Sequence, residues 1–448
     1  MDTQYKYLQL IKYSSLLLWD IKRYFTTQVL SSFPVVRLGD YINEESAKYS
    51  ISDPNKRYGI LGVNNKDGIF DAYEESGSKI KQKYKKMQVG WIAYNPYRVN
   101  VGSIGIRTNE HNYDYISPAY VVFSCKSGLL PDFLFLLLKT DLFNRIIREN
   151  TTGSVRQNLN FSILSNLQIP LPSLEEQNTI VTAYKKAISL AEQYEKQAER
   201  INDTIETYLL EELGLDTILS SHEHMNNDYK YLYFVNMKDM SDRWDIYNVR
   251  NSIFSVFEHA KYPVVSIGNT YDFVTRTWRK SGETFQYVEL GDVSPLYGIT
   301  NAQTLETKKA PSRATQTIQA KDLIIGTTRP YLKRFAIVTD EYTNNVCSSG
   351  FQVIAPDAKY NLQFLYEYMM TIVATKQFEY YMTGALYPAI TNKDLRKIQI
   401  PLPPLDVQNE IVAHISEIKE QIKSLRALAV NTRTAAIQQF EQIIFEKI

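Results

Sequence analysis

From Ile180 onward, apolar residues return at steps of four and three: Ile180, Tyr184, Ala187, Ala191, Tyr194, Ala198, Ile201, Ile205 and Tyr208. A second stretch keeps this rhythm through Ile411, Ile415, Ile418, Ile422, Leu425, Ala429, Thr432 and Ala436, in the same register 231 residues later. A stripe this narrow, sustained over about four heptads, predicts two helices that pack along a seam rather than two that cover a broad core. We place that seam at Ile180, Tyr184, Ala187, Ala191, Tyr194, Ala198, Ile201 and Ile205 on one helix. On the other it runs through Ile411, Ile415, Ile418, Ile422 and Leu425. Two tandem modules make an antiparallel pairing the expected one.

Ahead of each stripe the period changes. Val35-Val36 toward Leu38, "VGWIAYN" from Val89 and "DLIIGTT" from Asp322 are short β-branched and aromatic runs bounded by turn residues, as strands are. The runs after Pro131 and Asn361 have helical length. The stripes themselves are introduced by one phrase written twice. "LQIPLPSLEEQNTIV" (Leu167–Val181) and "IQIPLPPLDVQNEIV" (Ile398–Val412) agree at ten of fifteen positions. Proline stops the strand there, and Ser173 and Asp406 are placed to lead into the helices. Gly214 is placed to end the first. Upstream, "FPVVRLGD" (Phe33–Asp40) answers "YPVVSIGN" (Tyr262–Asn269), and Trp19-Asp20-Ile21 answers Trp244-Asp245-Ile246. "SPAYVVF" (Ser117–Phe123) answers "SSGFQVI" (Ser348–Ile354), Phe133-Leu134 answers Phe364-Leu365, and Thr152-Gly153 answers Thr383-Gly384. Similarity is strong at the edges of each unit and weak in its middle.

The fold class expected is therefore α+β. Two tandem mixed α/β domains are separated by two long antiparallel coiled-coil helices, with an internal pseudo-two-fold repeat. The boundaries fall at 1–172 for the first domain, 173–228 for the central helix and linker, 229–404 for the second domain and 405–448 for the C-terminal helix.

Composition changes this picture in one respect. The net charge of +1 argues against a polyanion as partner, yet residues 173–228 hold twelve Asp/Glu and four Lys/Arg. The rest of the chain then has 46 basic against 37 acidic residues, or +9. One acidic element hides an otherwise basic protein, and basic surface is the footprint of phosphate binding. The longest apolar run, Phe133–Leu138, is far shorter than the roughly 20 residues that span a bilayer, and a cytoplasmic protein is expected. Two cysteines, Cys125 and Cys347, form neither a disulfide framework nor a metal-ligand pattern, and His222 and His224 sit in a polar stretch.

The order of these parts, a variable module, the "IPLPxLxxQNxIV" phrase, a heptad helix, and all three again, strongly resembles the DNA-specificity subunit of type I restriction-modification systems. The resemblance runs from about Trp19 to the C-terminus, and its most specific element is the doubled phrase with Gln177 and Gln408. It implies a non-enzymatic subunit that needs no cofactor or metal, with residues 1–172 and 229–404 as target-recognition domains. Each would read one half of a split sequence in double-stranded DNA. The helices would set the gap and dock two modification (methyltransferase) subunits, with restriction subunits joining the full complex. The first thirty residues fit the pattern least well.

Catalytic motifs are expected to be absent. "YNPYRVN" (Tyr94–Asn100) resembles the loop with which adenine methyltransferases grip a flipped base, but it has one proline and no glycine-rich methyl-donor turn before it. Its counterpart is read as "TTRPYLK" (Thr327–Lys333), which lacks the asparagine. There is no phosphate-binding G-x-x-x-x-G-K-[ST] loop, and "PDAK" (Pro356–Lys359) is expected to be a turn between a strand and a helix.

DNA contacts are expected in the divergent middles. In the first module Lys81, Lys83, Lys85 and Lys86 form a basic run suited to phosphate, followed by Tyr94, Asn95, Tyr97 and Arg98, then Arg156, Gln157 and Asn158. In the second, Arg276, Trp278, Arg279 and Lys280 are grouped, with Lys308, Lys309, Arg313, Arg329, Tyr331, Lys333 and Arg334 beyond them. Arginine suits guanine and Asn or Gln suits adenine. Two other functions stay open on the residues alone. One is the specificity partner of a fused restriction-modification polypeptide, and the other a coiled-coil scaffold without sequence recognition.

Overall fold

The computed structural model describes residues 27–151, 158–215, 253–384 and 386–445. The repeats at Trp19 and Trp244, Thr152-Gly153, His222 and His224 lie outside them. The chain divides into two compact units, Met1–Tyr194 with Ala427–Ile448, and Glu195–Arg426.

Each unit is closed by the edges that the sequence repeats. Strand Val35–Arg37 pairs antiparallel with Gln168–Pro170, so Val36 faces Ile169; Val264–Ser266 pairs in the same way with Gln399–Pro401, so Val265 faces Ile400. The prolines sit at the ends of these short ladders, where a missing N–H costs no central bond. The next residue resumes pairing, Leu171 N–H donating to Pro34 O and Leu402 N–H to Pro263 O, both at 2.9 Å. The two ends of each module are thereby clasped together at the root of a long helix.

Inside each clasp lies an antiparallel four-stranded sheet of the same order. In the first unit it runs Ile42–Glu44, Val121–Cys125, Ile92–Tyr94, Ile104–Ile106, and in the second Asp272–Val274, Phe351–Ala355, Leu323–Gly326, Phe335–Ile337. Two helices follow, Pro131–Lys139 with Asp141–Asn150, and Leu362–Met369 with Ile372–Tyr381. The "PDAK" stretch is a turn, closed by Lys359 N–H on Asp357 Oδ1 at 3.0 Å between the strand and helix predicted around it. A second sheet holds the divergent residues, with five strands in the first unit and four in the second.

The long helices run Leu174–Leu213 and Leu405–Ile444, 40 residues each and 231 apart. The first opens on a capping box: Ser173 Oγ accepts from Glu176 N–H at 3.3 Å, and Glu176 Oε2 accepts from Ser173 N–H at 2.8 Å. The Ser173 hydroxyl, which donates to Glu176 Oε2 at 2.7 Å, and then the Ser173 N–H hold the Glu176 carboxyl below its ordinary pKa. The second helix starts at Leu405, with Pro404 O taking the Gln408 N–H, so Asp406, expected to lead into it, falls inside the first turn. Gly214 ends the first helix as predicted, at φ +73°, where a Cβ would meet His259 O at 2.8 Å.

Every residue of the expected seam is buried or half-buried, whereas the positions between are mostly exposed. In the first unit Ile180 and Val181 share a core with Phe440 and Ile444, and Tyr184 meets Phe440 ring to ring at 6.4 Å. In the second, Leu209, Leu210 and Leu213 share a core with Ile411 and Ile415, and Tyr208 lies 4.4 Å from the His414 ring. The start of each long helix thus meets the end of the other, which is the antiparallel arrangement. Carboxylates repeat the exchange. Glu441 accepts the Asp141 N–H at 3.0 Å in the first unit, and Glu206 accepts the Ile372 N–H in the second. Each caps the positive end of a module helix with negative charge from the far end of a long helix.

Candidate nucleic-acid interface

The doubled glutamine is structural. Gln177 is fully buried; its Oε1 accepts from Leu130 N–H at 2.8 Å, and its Nε2 donates to Gly128 O and Pro172 O at 2.9 and 2.8 Å. Gln408, 1% exposed, accepts from Asn361 N–H at 2.9 Å and donates to Pro403 O at 2.8 Å. Leu130 and Asn361 are the N-caps of the first module helices. A side-chain amide accepts through its oxygen and donates through its nitrogen, so each glutamine latches a long helix to its module.

Several expected contact residues turn out to be internal. Tyr94 is fully buried, its ring edge-on to Phe123 at 6.2 Å, so it presents no face to a base. Lys85 is 5% exposed, and its ammonium donates to Tyr120 O at 2.8 Å. Burial holds its pKa below the usual lysine value, with Glu44 opposing. Tyr84–Lys86 pairs with neighbours on both edges, and both Tyr84 and Lys85 are buried there, while Lys86, like Lys81 and Lys83, is exposed. Arg276 forks onto fully buried Asp322 at 2.5 and 3.1 Å, and so it is committed to holding a loop. Arg156 and Gln157 lie outside the described residues, and Asn158 is half-buried.

The others reach the surface or its margin. Trp278 is half-buried and stacks on Phe285 at 4.2 Å in a small cluster that includes Leu305, Ala310 and Ala314. This cluster gathers Arg279, Lys280, Lys308, Lys309 and Arg313, all exposed and adjacent to its members in sequence. Lys309 also pairs with Glu306 at 2.9 Å, an exposed contact of little energetic weight. Asn95 is half-buried and turns the chain by accepting from Tyr97 N–H at 3.0 Å, leaving Tyr97 and Arg98 exposed.

The matching of "YNPYRVN" with "TTRPYLK" needs correction. Strand Ile92–Tyr94 corresponds to Leu323–Ile325, and the single-turn helices Val99–Val101 and Pro330–Leu332 correspond, all at 231 residues. That register pairs Arg98 with Arg329, each the N-cap of its turn, and Gly102 with Lys333, both left-handed at φ +87° and +52°. Lys333 donates to Met370 O at 2.7 Å, Tyr331 is 36% exposed, and Arg334 is half-buried. Among the described residues, five non-glycine residues have left-handed backbone: Lys280, Lys321, Arg329, Lys333 and Asn344. Four are cations, and all five lie in the second unit. Such conformations cost roughly 1–3 kcal/mol each and concentrate where a ligand is held. Sequence reasoning missed Lys321 and also the most exposed apolar pair, Leu386 and Tyr387, because apolar residues read as core.

Among the described residues no group of three or more His, Cys, Asp and Glu could hold a metal ion, and no helix is long and apolar enough to cross a membrane. Burial pushes both thiols, Cys125 and Cys347, up to about 12, so neither is a nucleophile at neutral pH.

A module clasped by repeated edges, built twice with a long helix after each, defines a tandem-repeat α+β protein. The family model for the type I restriction modification DNA specificity domain matches the chain twice, over residues 32–202 and 258–429, and the chain belongs to that family. Membership makes it a non-catalytic specificity subunit, in line with the absence of catalytic motifs. The type I restriction enzyme EcoDI specificity subunit of Escherichia coli is 21% identical over 361 residues, covering 77% of this chain and 75% of that protein. A putative type I restriction enzyme MjaX specificity subunit of Methanocaldococcus jannaschii is 24% identical over 306 residues, 67% and 64% of the two chains. A solved structure concerned with assembly and conformational transition of the type I R-M system shares the fold, with a TM-score of 0.53 at 18% identity over 93% of this chain and 98% of that one.

Proposed function

We propose that this chain recognises double-stranded DNA for a type I restriction-modification complex, each module reading one half of a bipartite target. The observation that carries this is the duplication itself: the same clasp, sheet and latch occur 231 residues apart, while the cationic and aromatic residues between them differ. A scaffold has no use for divergent basic centres. In this proposal the latches fix each module on its helix, and 40 residues at 1.5 Å give each helix roughly 60 Å of length. DNA advances about 34 Å per turn, so such a spacer sets the gap between half-sites. Two modification subunits dock on the helices, and restriction subunits complete the assembly in the cytoplasm.

The test is to co-purify the chain with its modification subunits and map N6-methyladenine in host DNA with the chain present and deleted. A bipartite methylated motif is expected to vanish on deletion. An unchanged methylation map, with the methyltransferase bound and active, would remove sequence recognition and leave the scaffold.

Within this proposal Lys81, Lys83 and Lys86 face phosphate. Changing all three to alanine is expected to flatten the plot of log affinity against log salt by about 2–3 on any DNA sequence. Lys85→Ala should instead lower thermal stability and leave that slope alone. Binding titrations at several salt concentrations check both.

A further inference from the structure

Leu386 is the most exposed large apolar side chain among the described residues, at 81%, and its neighbour Tyr387 follows at 72%. Nothing in the second unit's core uses them. Their position is nevertheless fixed. Below the tip, Thr383 and Ala389 exchange backbone hydrogen bonds at 2.9 Å each way. Arg329 N–H donates to Pro388 O at 2.7 Å, and Ile390 N–H to Thr327 O at 2.9 Å. Arg329 also reaches the tip, donating to Leu386 O at 3.3 Å and lying over the Tyr387 ring at 5.1 Å. It does so from a left-handed backbone at φ +51°. The base of the loop is clamped and its apolar end stands in solvent.

We propose that Leu386 and Tyr387 form a wedge that enters a base step of DNA, so that the second module selects its half-site partly by how readily that step unstacks. This rests on the DNA-recognition function proposed above. Charge favours a polyanion as the occupant. Neither segment 327–334 nor segment 382–390 contains an acidic residue, and Arg329, Lys333 and Arg334 flank the tip. Apolar side chains inserted between bases bend the duplex, and the flanking cations then meet its phosphates. A tyrosine ring braced by a guanidinium is also a flat surface on which a displaced base can stack. At the same register the first module's sequence has Val155 and Arg156, outside the described residues. The device therefore belongs to one half of the target.

The experiment uses the full chain with its modification subunits and a duplex bearing the mapped methylation motif. 2-Aminopurine, which pairs with thymine and brightens on unstacking, replaces single adenines in turn on both strands of both halves. Apart from the methylated adenines and their neighbours, where base flipping itself unstacks the probe, the wild-type complex is expected to raise fluorescence several-fold at one further step, in one half only. The L386S/Y387S variant should abolish that rise and weaken specific binding at least ten-fold, with affinity and salt slope on random duplex unchanged. Y387F should keep the signal. A variant with undiminished fluorescence and affinity overturns the wedge. So does loss of co-elution with the modification subunits, which would make the tip a protein contact. If the wild-type complex binds motif and random duplex alike, DNA recognition itself fails and the wedge with it.

Discussion

Gln177→Leu is expected to destabilise the first unit by about 3–5 kcal/mol, although leucine is close in volume and better suited to burial. The cost lies in what remains after the amide is gone. Leu130 N–H, Gly128 O and Pro172 O each lose a bond of 2.8–2.9 Å. None gains one from a methyl group, and an unpaired buried polar group costs roughly 1–3 kcal/mol, with carbonyls at the low end. Gln408→Leu strands two groups, Asn361 N–H and Pro403 O, and should cost about 2–4 kcal/mol. Gln177→Glu keeps the acceptor for Leu130 but sets a buried carboxylate against the Gly128 and Pro172 carbonyl oxygens, so at neutral pH it should cost at least as much as leucine and recover in part at low pH, where the carboxyl is protonated. Denaturant titration of the full chain measures all three. A loss below about 1 kcal/mol for Gln177→Leu would show that the latch is replaceable and that the repeated glutamine has some other use.

The same residue shows how far the chain could be understood from its sequence. The apolar stripe of each long helix was legible because helical periodicity is local: each apolar residue announces the next three or four places on, and all thirteen positions are at least half-buried. The repeat was legible as a repeat, but its purpose was not. Val36 pairs with Ile169 across most of a module, and Gln177 reaches back to Leu130. Such partners are set by tertiary closure, which leaves no periodic trace. Two expected contact residues, Lys85 and Arg276, proved otherwise engaged for a related reason. A run of lysines does not reveal which member a strand turns inward, and Arg276 looks like a base reader until Asp322, 46 residues later, is found beneath it.

Breaking that pair is the second large effect expected. Asp322 is fully buried, accepts both terminal nitrogens of Arg276 at 2.5 and 3.1 Å, and also accepts Gln319 N–H at 2.7 Å. Asp322→Ala leaves the guanidinium and an amide without their acceptor, and removing one partner of a buried pair typically costs about 3–5 kcal/mol. The arginine side chain is 32% exposed, so water screens part of the loss and the lower end is the better expectation. Arg276→Ala strands a fully buried carboxylate and should cost at least as much. The double variant should be more stable than additivity predicts, by about 1–3 kcal/mol in a mutant cycle. DNA binding separates this role from the one expected of Arg276 at the outset. A phosphate contact would reduce the salt slope by about one, whereas a structural arginine leaves the slope of the folded fraction unchanged. Full stability of Asp322→Ala together with a flattened slope for Arg276→Ala would return the arginine to the DNA surface.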